Sequence, residues 1–242
     1  MVTDQPEQRP RRRFRPLRLL RWLVFLAVLL PVGGVLIHRV VPPPMTLLMA
    51  QQAARGEGWS YRWRPIERIS PRLVEAVIAS EDAKFCRHHG FDFQAIEKAM
   101  ARNERRPERL RGGSTITQQV AKNVFLWPGR SYVRKGLEAG YAVLIELLWG
   151  KRRIMEVYLN VAEWAPGVYG AQAASRRWFG KDADELTAAQ ASRLAAILPS
   201  PRRYRADAGR YVRRRAGRIG AAMGTVRGEG LAACVQGGAR ES

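Results

Sequence analysis

The sequence predicts a mainly α-helical protein that one helix near the N-terminus holds at a membrane. Three observations support this fold class. An uncharged apolar segment follows an arginine-rich start, apolar residues recur at helical spacing through most of the remaining chain, and almost no stretch alternates as strands do. The chain has 242 residues and 46% hydrophobic content, which is enough for one sizeable domain with additional segments.

Residues 22–41 predict a transmembrane helix, because they carry no charge before His38 and Arg39. Twenty residues in a helix extend about 30 Å, the thickness of a bilayer core. Seven arginines lie in residues 1–21, so the positive-inside rule places the N-terminus in the cytoplasm and the rest of the chain outside it. A cleaved signal peptide is the alternative, but the apolar run is long for one and no small-residue cleavage site follows closely.

The net charge of +21 indicates an anionic neighbour: nucleic acid, anionic lipid or a phosphate-bearing substrate. Residues 1–21 contribute +5, so the remaining chain carries +16. An extracytoplasmic location would allow a disulfide between Cys86 and Cys234, although two free thiols are equally compatible with the sequence. No cysteine–histidine spacing suggests a zinc site.

The predicted elements follow in order. Three prolines at 42–44 end the membrane helix, a short helix covers 45–55, and an aromatic cluster lies at 59–63. Ser70-Pro71 then begins a helix with one apolar face that ends near Glu81. Further helices are predicted at 93–100, 133–149, 152–160 and 186–198. Another should begin after Gly112-Gly113, where Thr115 and Gln118 fit a capping box. Between the helices lie a basic linker at 107–111, a turn at 127–129 and a Gly- and Ala-rich segment at 167–179 that suits close helix packing. After residue 205 we expect one more basic helix and a loose tail.

Glu81 is the first candidate for chemistry. It follows an apolar helix and precedes Asp82, Phe85 and two histidines, so partial burial would raise its pKa and make it a better base. The alternative is a surface ion pair of Glu81 or Asp82 with Lys84 or Arg87.

Residues 112–123 form the second candidate, a run of glycines, hydroxyls and amides that ends in Lys122 and Asn123. Free N–H groups at the start of a helix favour anions, so this run suits a polar ligand with phosphate. A capped surface helix is the alternative. A nucleotide-binding loop is not supported, because Lys122 comes nine residues after the second glycine.

Arg130, Arg134, Lys135 and Glu138 form the third candidate. Helical spacing brings both Arg134 and Lys135 near Glu138. The functional interpretation is a cationic wall for a leaving pyrophosphate, and the alternative is a solvent-facing ion pair. For residues 151–160 we predict burial with structural hydrogen bonds rather than catalysis.

Taken together, these motifs resemble the peptidoglycan glycosyltransferase family in its monofunctional, membrane-anchored form. The matches occur in family order over about residues 59–204: Glu81-Asp82-x-x-Phe85-x-x-His88-x-Gly90, Gly112 to Asn123, Arg134-Lys135-x-x-Glu138, Lys151-x-x-Ile154-x-Glu156-x-Tyr158-Leu159-Asn160, Gly167-x-x-Gly170, Trp178 to Lys181, and Leu186 to Pro201. Two positions depart from the pattern, Gly150 in place of a small hydroxyl residue and Gln190 in place of an acidic one. No Ser-x-x-Lys or Lys-Thr-Gly motif of a transpeptidase occurs.

The resemblance implies a domain similar to the helical lobe of lysozyme with a smaller membrane-proximal lobe. It also implies extension of glycan strands from lipid II, with inversion and release of polyprenyl pyrophosphate. Glu81 would be the catalytic base and Glu138 a second catalytic carboxylate. The implied substrate- and pyrophosphate-binding residues are Asp82, Phe85, His88, Gly90, Gly113, Ser114, Thr117, Gln118, Gln119, Lys122, Asn123, Arg130, Arg134 and Lys135.

The sequence also predicts how the chain is divided, where it is located and what it binds. The chain divides into a basic cytoplasmic tail (1–21), an anchor (22–41), a linker (42–58), a glycosyltransferase domain (59–204) and a basic extension (205–242). Its location is the bacterial inner membrane with an extracytoplasmic domain, and its partners are lipid II, a lipid-linked strand and membrane lipids, not nucleic acid. A divalent cation, magnesium or manganese, and other cell-wall synthases stay open. The rivals are a glycan-cutting lysozyme-like hydrolase or lytic transglycosylase, and a non-enzymatic basic module.

Overall fold

A computed structural model describes residues 16–105, 108, 112–129 and 131–237. The described helices are α1 (Pro16–Val40), α2 (Leu47–Ala54), α3 (Pro71–Glu81), α4 (Phe93–Arg105), α5 (Ile116–Phe125), α6 (Tyr132–Leu148), α7 (Lys151–Val161), α8 (Gly170–Phe179), α9 (Ala188–Ile197), α10 (Arg210–Gly228) and α11 (Ala233–Gln236). Short 3₁₀ turns occur at Ile66–Arg68 and Ala183–Glu185. The mainly helical class predicted from the sequence is confirmed.

Helix α1 contains the predicted anchor. Leu20–Val40 is long and apolar enough to cross a membrane, and the first half of this stretch is exposed. Its second half packs on the domain: the Trp149 indole N–H donates to the carbonyl oxygen of Val35 at 2.8 Å, and Arg153 Nε donates to that of His38 at 3.1 Å. The end of the anchor is therefore fixed to the folded domain rather than joined to it by a free linker.

Helix α3 has the predicted apolar face, and Leu73, Val74, Val77 and Ile78 are all buried. It packs against both α9 and α10, which also pack on each other, while α5 packs against α6 and α7. One continuous core joins both groups of helices. The C-terminal end of α3 and the N-terminal half of α5 thus meet at the edge of this core.

A small sheet was not predicted. Its strands β1 (Ser60–Tyr61), β2 (Glu163–Ala165) and β3 (Val168–Tyr169) have the order β1-β3-β2, with β1 parallel and β2 antiparallel to β3. Strands of two or three residues are too short to show alternation in a sequence.

The segment after residue 205 is more ordered than the predicted helix and loose tail. Helix α10 packs on α3 and α9, and its buried side chains include Val212, Ile219 and Met223. The sequence left the pairing of the two cysteines open, and here Cys86 and Cys234 form a disulfide with Cα atoms 5.6 Å apart. The predicted linker at 107–111 lies outside the described residues apart from residue 108.

Candidate active site

Glu81 is the last residue of α3, and its carboxylate is largely buried, with 14% of the side chain exposed. Gln119 Nε2 on α5 donates to Glu81 Oε2 at 3.3 Å, and Arg215 Nη2 on α10 lies 3.7 Å from Oε1. Burial is the main cause that raises the pKa of Glu81 above its ordinary 4.5; the Gln119 hydrogen bond, Arg215 and Lys122 oppose the rise, and Asp82 adds to it. A partly desolvated carboxylate of this kind is a better proton acceptor than an exposed one.

Asp82 has a different role, because its carboxylate is already occupied. His88 Nε2 lies 2.9 Å and 3.0 Å from its two oxygens, and the backbone N–H of Ile116 donates to Oδ2 at 3.0 Å. Asp82 thereby joins the loop after Glu81 to the start of α5. The sequence placed Asp82 and His88 among the binding residues, and in the structure they contact each other in the loop that follows the candidate base.

Helix α5 directs two polar side chains toward Glu81. Gln119 contacts the carboxylate, and its Oε1 accepts a 3.4 Å hydrogen bond from the Tyr158 hydroxyl. Lys122 has a large accessible surface, yet partial desolvation of its ammonium group is the main cause that lowers its pKa from 10.5; Glu138 and Glu81 oppose this, and Arg134 and Lys135 reinforce it. Lys122 is therefore electrostatically linked to both candidate catalytic carboxylates.

Three cations lie around the carboxylate of Glu138: Lys122, Arg134 and Lys135. We call these three side chains, together with Glu138, the cationic cluster. Only 4% of the Glu138 side chain is exposed. Arg134 Nη1 lies 3.3 Å from Glu138 Oε2, and Lys135 Nζ contacts Oε1 and lies 3.4 Å from Ser114 Oγ. The Arg134 Nε atom is buried and has no hydrogen-bond partner among the described residues. The alternative of a solvent-facing ion pair does not fit a carboxylate that is this deeply buried.

Two cavities border these groups. One, of about 290 Å³, is lined by Ser80, Glu81, Asp82 and Lys84 together with residues 112–115. The other, of about 270 Å³, is lined by Lys122, Asn123 and Arg134 together with the apolar side chains of Leu48, Leu126, Trp127 and Pro128. The first cavity offers a carboxylate to its occupant, and the second offers cations beside an apolar wall.

Three predicted binding side chains are buried away from the cavities. Phe85 is fully buried, with Lys151 Nζ 4.6 Å from the centre of its ring. Thr117 is also fully buried and donates to Glu146 Oε1 at 2.6 Å, and Gln118 closes the capping box with Thr115. In the structure these side chains hold α3, α5 and α6 together, and direct ligand contact by them stays a prediction.

The predicted glycines also act through packing. Gly90 has a φ of +87°, and its carbonyl oxygen accepts a 2.6 Å hydrogen bond from the Thr115 hydroxyl. A Cβ atom on Gly113 would lie 3.1 Å from the Cα atom of Ile96. The missing side chain of Gly113 therefore admits the backbone of α4, and Gly113 also lines the cavity beside Glu81. Arg130, the remaining predicted cation, lies outside the described residues.

Residues 151–160 have the structural role that the sequence predicts. Asn160 is fully buried; its Oδ1 accepts from the backbone N–H of Arg64 at 2.8 Å, and its Nδ2 donates to the carbonyl oxygens of Arg64 and Glu156, both at 2.8 Å. Lys151 Nζ contacts Glu146 Oε1 and the carbonyl oxygen of His88, both at 2.7 Å. This motif supports the loop that carries Asp82 and His88.

Two residues at the site, Arg215 and Glu146, were not predicted from the sequence. Arg215 lies in a run of arginines on α10 where no spacing distinguishes one from another. Glu146 lies on the long helix predicted at 133–149, and its link to Lys151 across the turn between α6 and α7 gives no helical spacing signal. Only tertiary packing identifies either residue.

A separate acidic group, Asp182, Asp184 and Glu185, has carboxylate oxygens close enough together to hold a cation. Asp182 already contacts Arg176 at 2.7 Å and Gln172. None of the three lines the two cavities.

Comparison with known proteins agrees with this geometry. The family model described as Transglycosylase matches residues 49–224. The chain is 56% identical over 226 residues to the biosynthetic peptidoglycan transglycosylase of Caulobacter vibrioides, covering 93% of this chain and 97% of that protein. The proteins of the same name from Rhodospirillum centenum (51% identity, 93% and 96% coverage) and Xanthomonas axonopodis pv. citri (54%, 89% and 91%) are similar along nearly their whole lengths. The chain therefore belongs to the transglycosylase family of peptidoglycan glycosyltransferases, the family that its motifs predicted.

Proposed function

We propose that this protein polymerises glycan strands from lipid II, with Glu81 as the base and the cationic cluster around Glu138 as the site of the leaving pyrophosphate. The observation that carries the proposal is the geometry of α5, where Gln119 contacts Glu81 and Lys122 lines the same cavity as Arg134. Helix α5 thus joins the base to the cations. A glycosyl transfer that must remove a proton and release a diphosphate needs this arrangement.

The reaction balances with the residues present. The acceptor sugar hydroxyl loses its proton to Glu81 while its oxygen bonds to the anomeric carbon of the lipid-linked strand. The bond from that carbon to the diphosphate oxygen breaks, the configuration inverts, and polyprenyl pyrophosphate departs with the electron pair. As in inverting glycosidases, the base acts on the face opposite the leaving group.

The cationic cluster suits a departing diphosphate. Arg134 has an unsatisfied buried Nε among the described residues, and Lys135 lies at the exposed edge with 49% of its side chain accessible. Charge-assisted hydrogen bonds from such groups to phosphate oxygens are strong. The apolar wall of Leu126, Trp127 and Pro128 in the same cavity suits the first units of a polyprenyl chain.

The divalent cation that the resemblance left open does not fit the residues of this site. Glu138 already contacts two cations, and Glu81 lies 3.7 Å from Arg215, so nearby side chains already balance the charge of each carboxylate. Oxygen-rich sites are what magnesium and manganese prefer. We therefore assign neutralisation of the pyrophosphate to the side chains themselves.

The proposal includes a single-pass inner-membrane location with the domain on the extracytoplasmic side. Both substrates carry lipid tails, so a tethered enzyme meets them in two dimensions. The Cys86–Cys234 disulfide favours an oxidising compartment, and the exposed apolar side chains Trp127, Tyr132, Val133 and Leu137 favour contact between the start of α6 and the bilayer surface.

The direct test supplies the full-length protein in detergent or vesicles with lipid II and measures glycan products by length. We expect polymer from the wild type, none from Glu81→Gln, and normal amounts from Glu67→Gln, a matched control in an exposed ion pair with Arg152. A parallel incubation with finished sacculi detects glycan cutting. Cleavage of sacculi without polymer from lipid II would replace the proposal with the hydrolase.

A further inference from the structure

Helix α10 belongs to the segment after residue 205, for which the sequence predicted one basic helix without a role, and it packs on α3, the helix that carries Glu81. Its apolar face, including Val212, Ile219 and Met223, is buried. Near its C-terminal end Arg227 binds Glu75 on α3 with two hydrogen bonds, of 2.7 Å and 3.2 Å. Since Arg215 meets Glu81 at the other end, α10 and α3 run in opposite directions and are fixed together at two points.

A covalent bond fixes the same segment to the catalytic loop. Cys86 lies five residues after Glu81, and its disulfide partner Cys234 lies on α11, just beyond α10. Arg152 Nη1 on α7 also donates to the carbonyl oxygen of Val235 at 2.6 Å. The end of the chain is therefore held against the loop that contains the candidate base.

Among the described residues, Arg215 is the only cation with a nitrogen atom within 4.0 Å of a Glu81 oxygen. Its Nη2 atom lies 3.7 Å from Oε1, which is too long for a hydrogen bond, so the lone pairs of Oε1 stay available. Glu81 Oε2 accepts from Gln119. The Arg215 Nε atom is buried and has no partner among the described residues, so the guanidinium is held here by packing and by the charge of Glu81.

We propose that Arg215 is a positioning residue for the base: from helix α10 it orients the Glu81 carboxylate, with Oε1 directed to the acceptor hydroxyl, and keeps that carboxylate ionised. The inference rests on the function proposed above. Burial raises the pKa of Glu81, and the adjacent positive charge of Arg215 opposes that rise. The other charged or titratable groups near Glu81 are Asp82, Lys122 and Tyr158, and none of them can replace Arg215: Asp82 is negative, Lys122 is shared with Glu138, and the pKa of Tyr158 is raised well above 10.0.

The test compares Arg215→Gln and Arg215→Lys with the wild type in lipid II polymerisation across pH. Removing a cation this close to a carboxylate raises the pKa of the carboxylate by about one unit or more. In Arg215→Gln we therefore expect the acidic limb of kcat/KM to move up by about one pH unit. That shift corresponds to an approximately tenfold loss of activity below the limb, with recovery at higher pH. Arg215→Lys, which keeps the charge, should show a smaller shift.

Arg227→Gln on the same helix is the control, because it removes the contact with Glu75 and leaves Glu81 untouched. It should lower the thermal midpoint without moving the acidic limb. An equal loss of activity at every pH in Arg215→Gln, with an unmoved limb, overturns the proposal and makes the contact merely structural. If Arg215→Gln does not fold, Arg215→Met takes its place, because it keeps an unbranched side chain without the charge, and an unmoved limb in that variant overturns the proposal. The proposed function is tested separately: polymerisation by the wild type and its loss in Glu81→Gln support that function whatever the Arg215 variants show.

Discussion

The backbone N–H of Ile116 donates a 3.0 Å hydrogen bond to Asp82 Oδ2, across 34 positions of sequence. Ile116 is the first residue of α5, and Asp82 directly follows Glu81. An aspartate at the start of a helix satisfies a free N–H group and interacts favourably with the helix dipole. The contact therefore fixes the distance between the candidate base and the helix that carries Gln119 and Lys122.

Replacing Asp82 should consequently cost both stability and activity. In Asp82→Ala the Ile116 N–H and His88 lose a charged partner in a buried place, so we expect a loss of about 1–3 kcal/mol in the free energy of unfolding, measured by denaturant titration. Asp82→Asn keeps one acceptor oxygen and should lose less. Asp184→Ala, which removes an exposed ion pair with Arg68 at 3.5 Å, is the control and should change little; equal losses at the two positions would contradict this assignment.

The pH dependence of polymerisation should follow Glu81 and Lys122. The base must be unprotonated, and burial raises its pKa above 4.5, so activity should fall as the pH drops through a midpoint above 4.5. The pKa of Lys122 is lowered from 10.5, so a loss of activity at alkaline pH should begin below that value. Rate measurements between pH 4 and 10 would show both limbs.

Lys122→Arg separates the alkaline limb from other causes. An arginine stays protonated throughout this range, so the variant should keep its activity to higher pH, although the changed geometry lowers the maximum rate. An alkaline limb at the same pH in both proteins would show that another group controls it.

Much of this site was predictable because its motifs use local spacing. The capping box of Thr115 and Gln118, the pairing of Arg134 and Lys135 with Glu138, and the position of Glu81 at a helix end all follow from helical geometry within a few residues.

The contacts that the sequence could not predict depend on packing between distant elements. The burial of Phe85 and Thr117, the close approach of α4 to Gly113 and the contact of Arg215 with Glu81 join residues from separate helices. No single-helix pattern distinguishes a side chain that supports a site from one that lines it. The domain boundary at residue 204 stays a prediction, although α10 beyond it packs on α3 and the family match extends to residue 224.

Glu138→Gln should impair catalysis more than folding. The substitution keeps the shape of the side chain but leaves Arg134, which is 10% exposed, without its counter-charge. We expect a loss of about 1–3 kcal/mol in stability, since Lys135 is half exposed and water screens its share. The polymerisation rate should fall by a much larger factor than the fraction of folded protein, because the cations lose their fixed positions. Kinetics of the wild type and Glu138→Gln at a temperature well below both unfolding midpoints provide the measurement, and unchanged kinetics would return Glu138 to a structural ion pair.

The Cys86–Cys234 disulfide should stabilise the whole domain and the catalytic loop in particular. It closes a loop with a sequence separation of 148 residues, and cross-links of long loops typically contribute about 2–4 kcal/mol. The apolar face of α10 and the Arg227–Glu75 pair remain without it, so the protein with both Cys86→Ser and Cys234→Ser should still fold. We expect it to unfold at a lower temperature and to polymerise lipid II more slowly, since the loop after Glu81 loses its covalent tie. Dithiothreitol should reproduce both effects in the wild type and change nothing further in the double variant. A thermal midpoint that dithiothreitol leaves unmoved in the wild type would mean that the bond contributes nothing to the folded state.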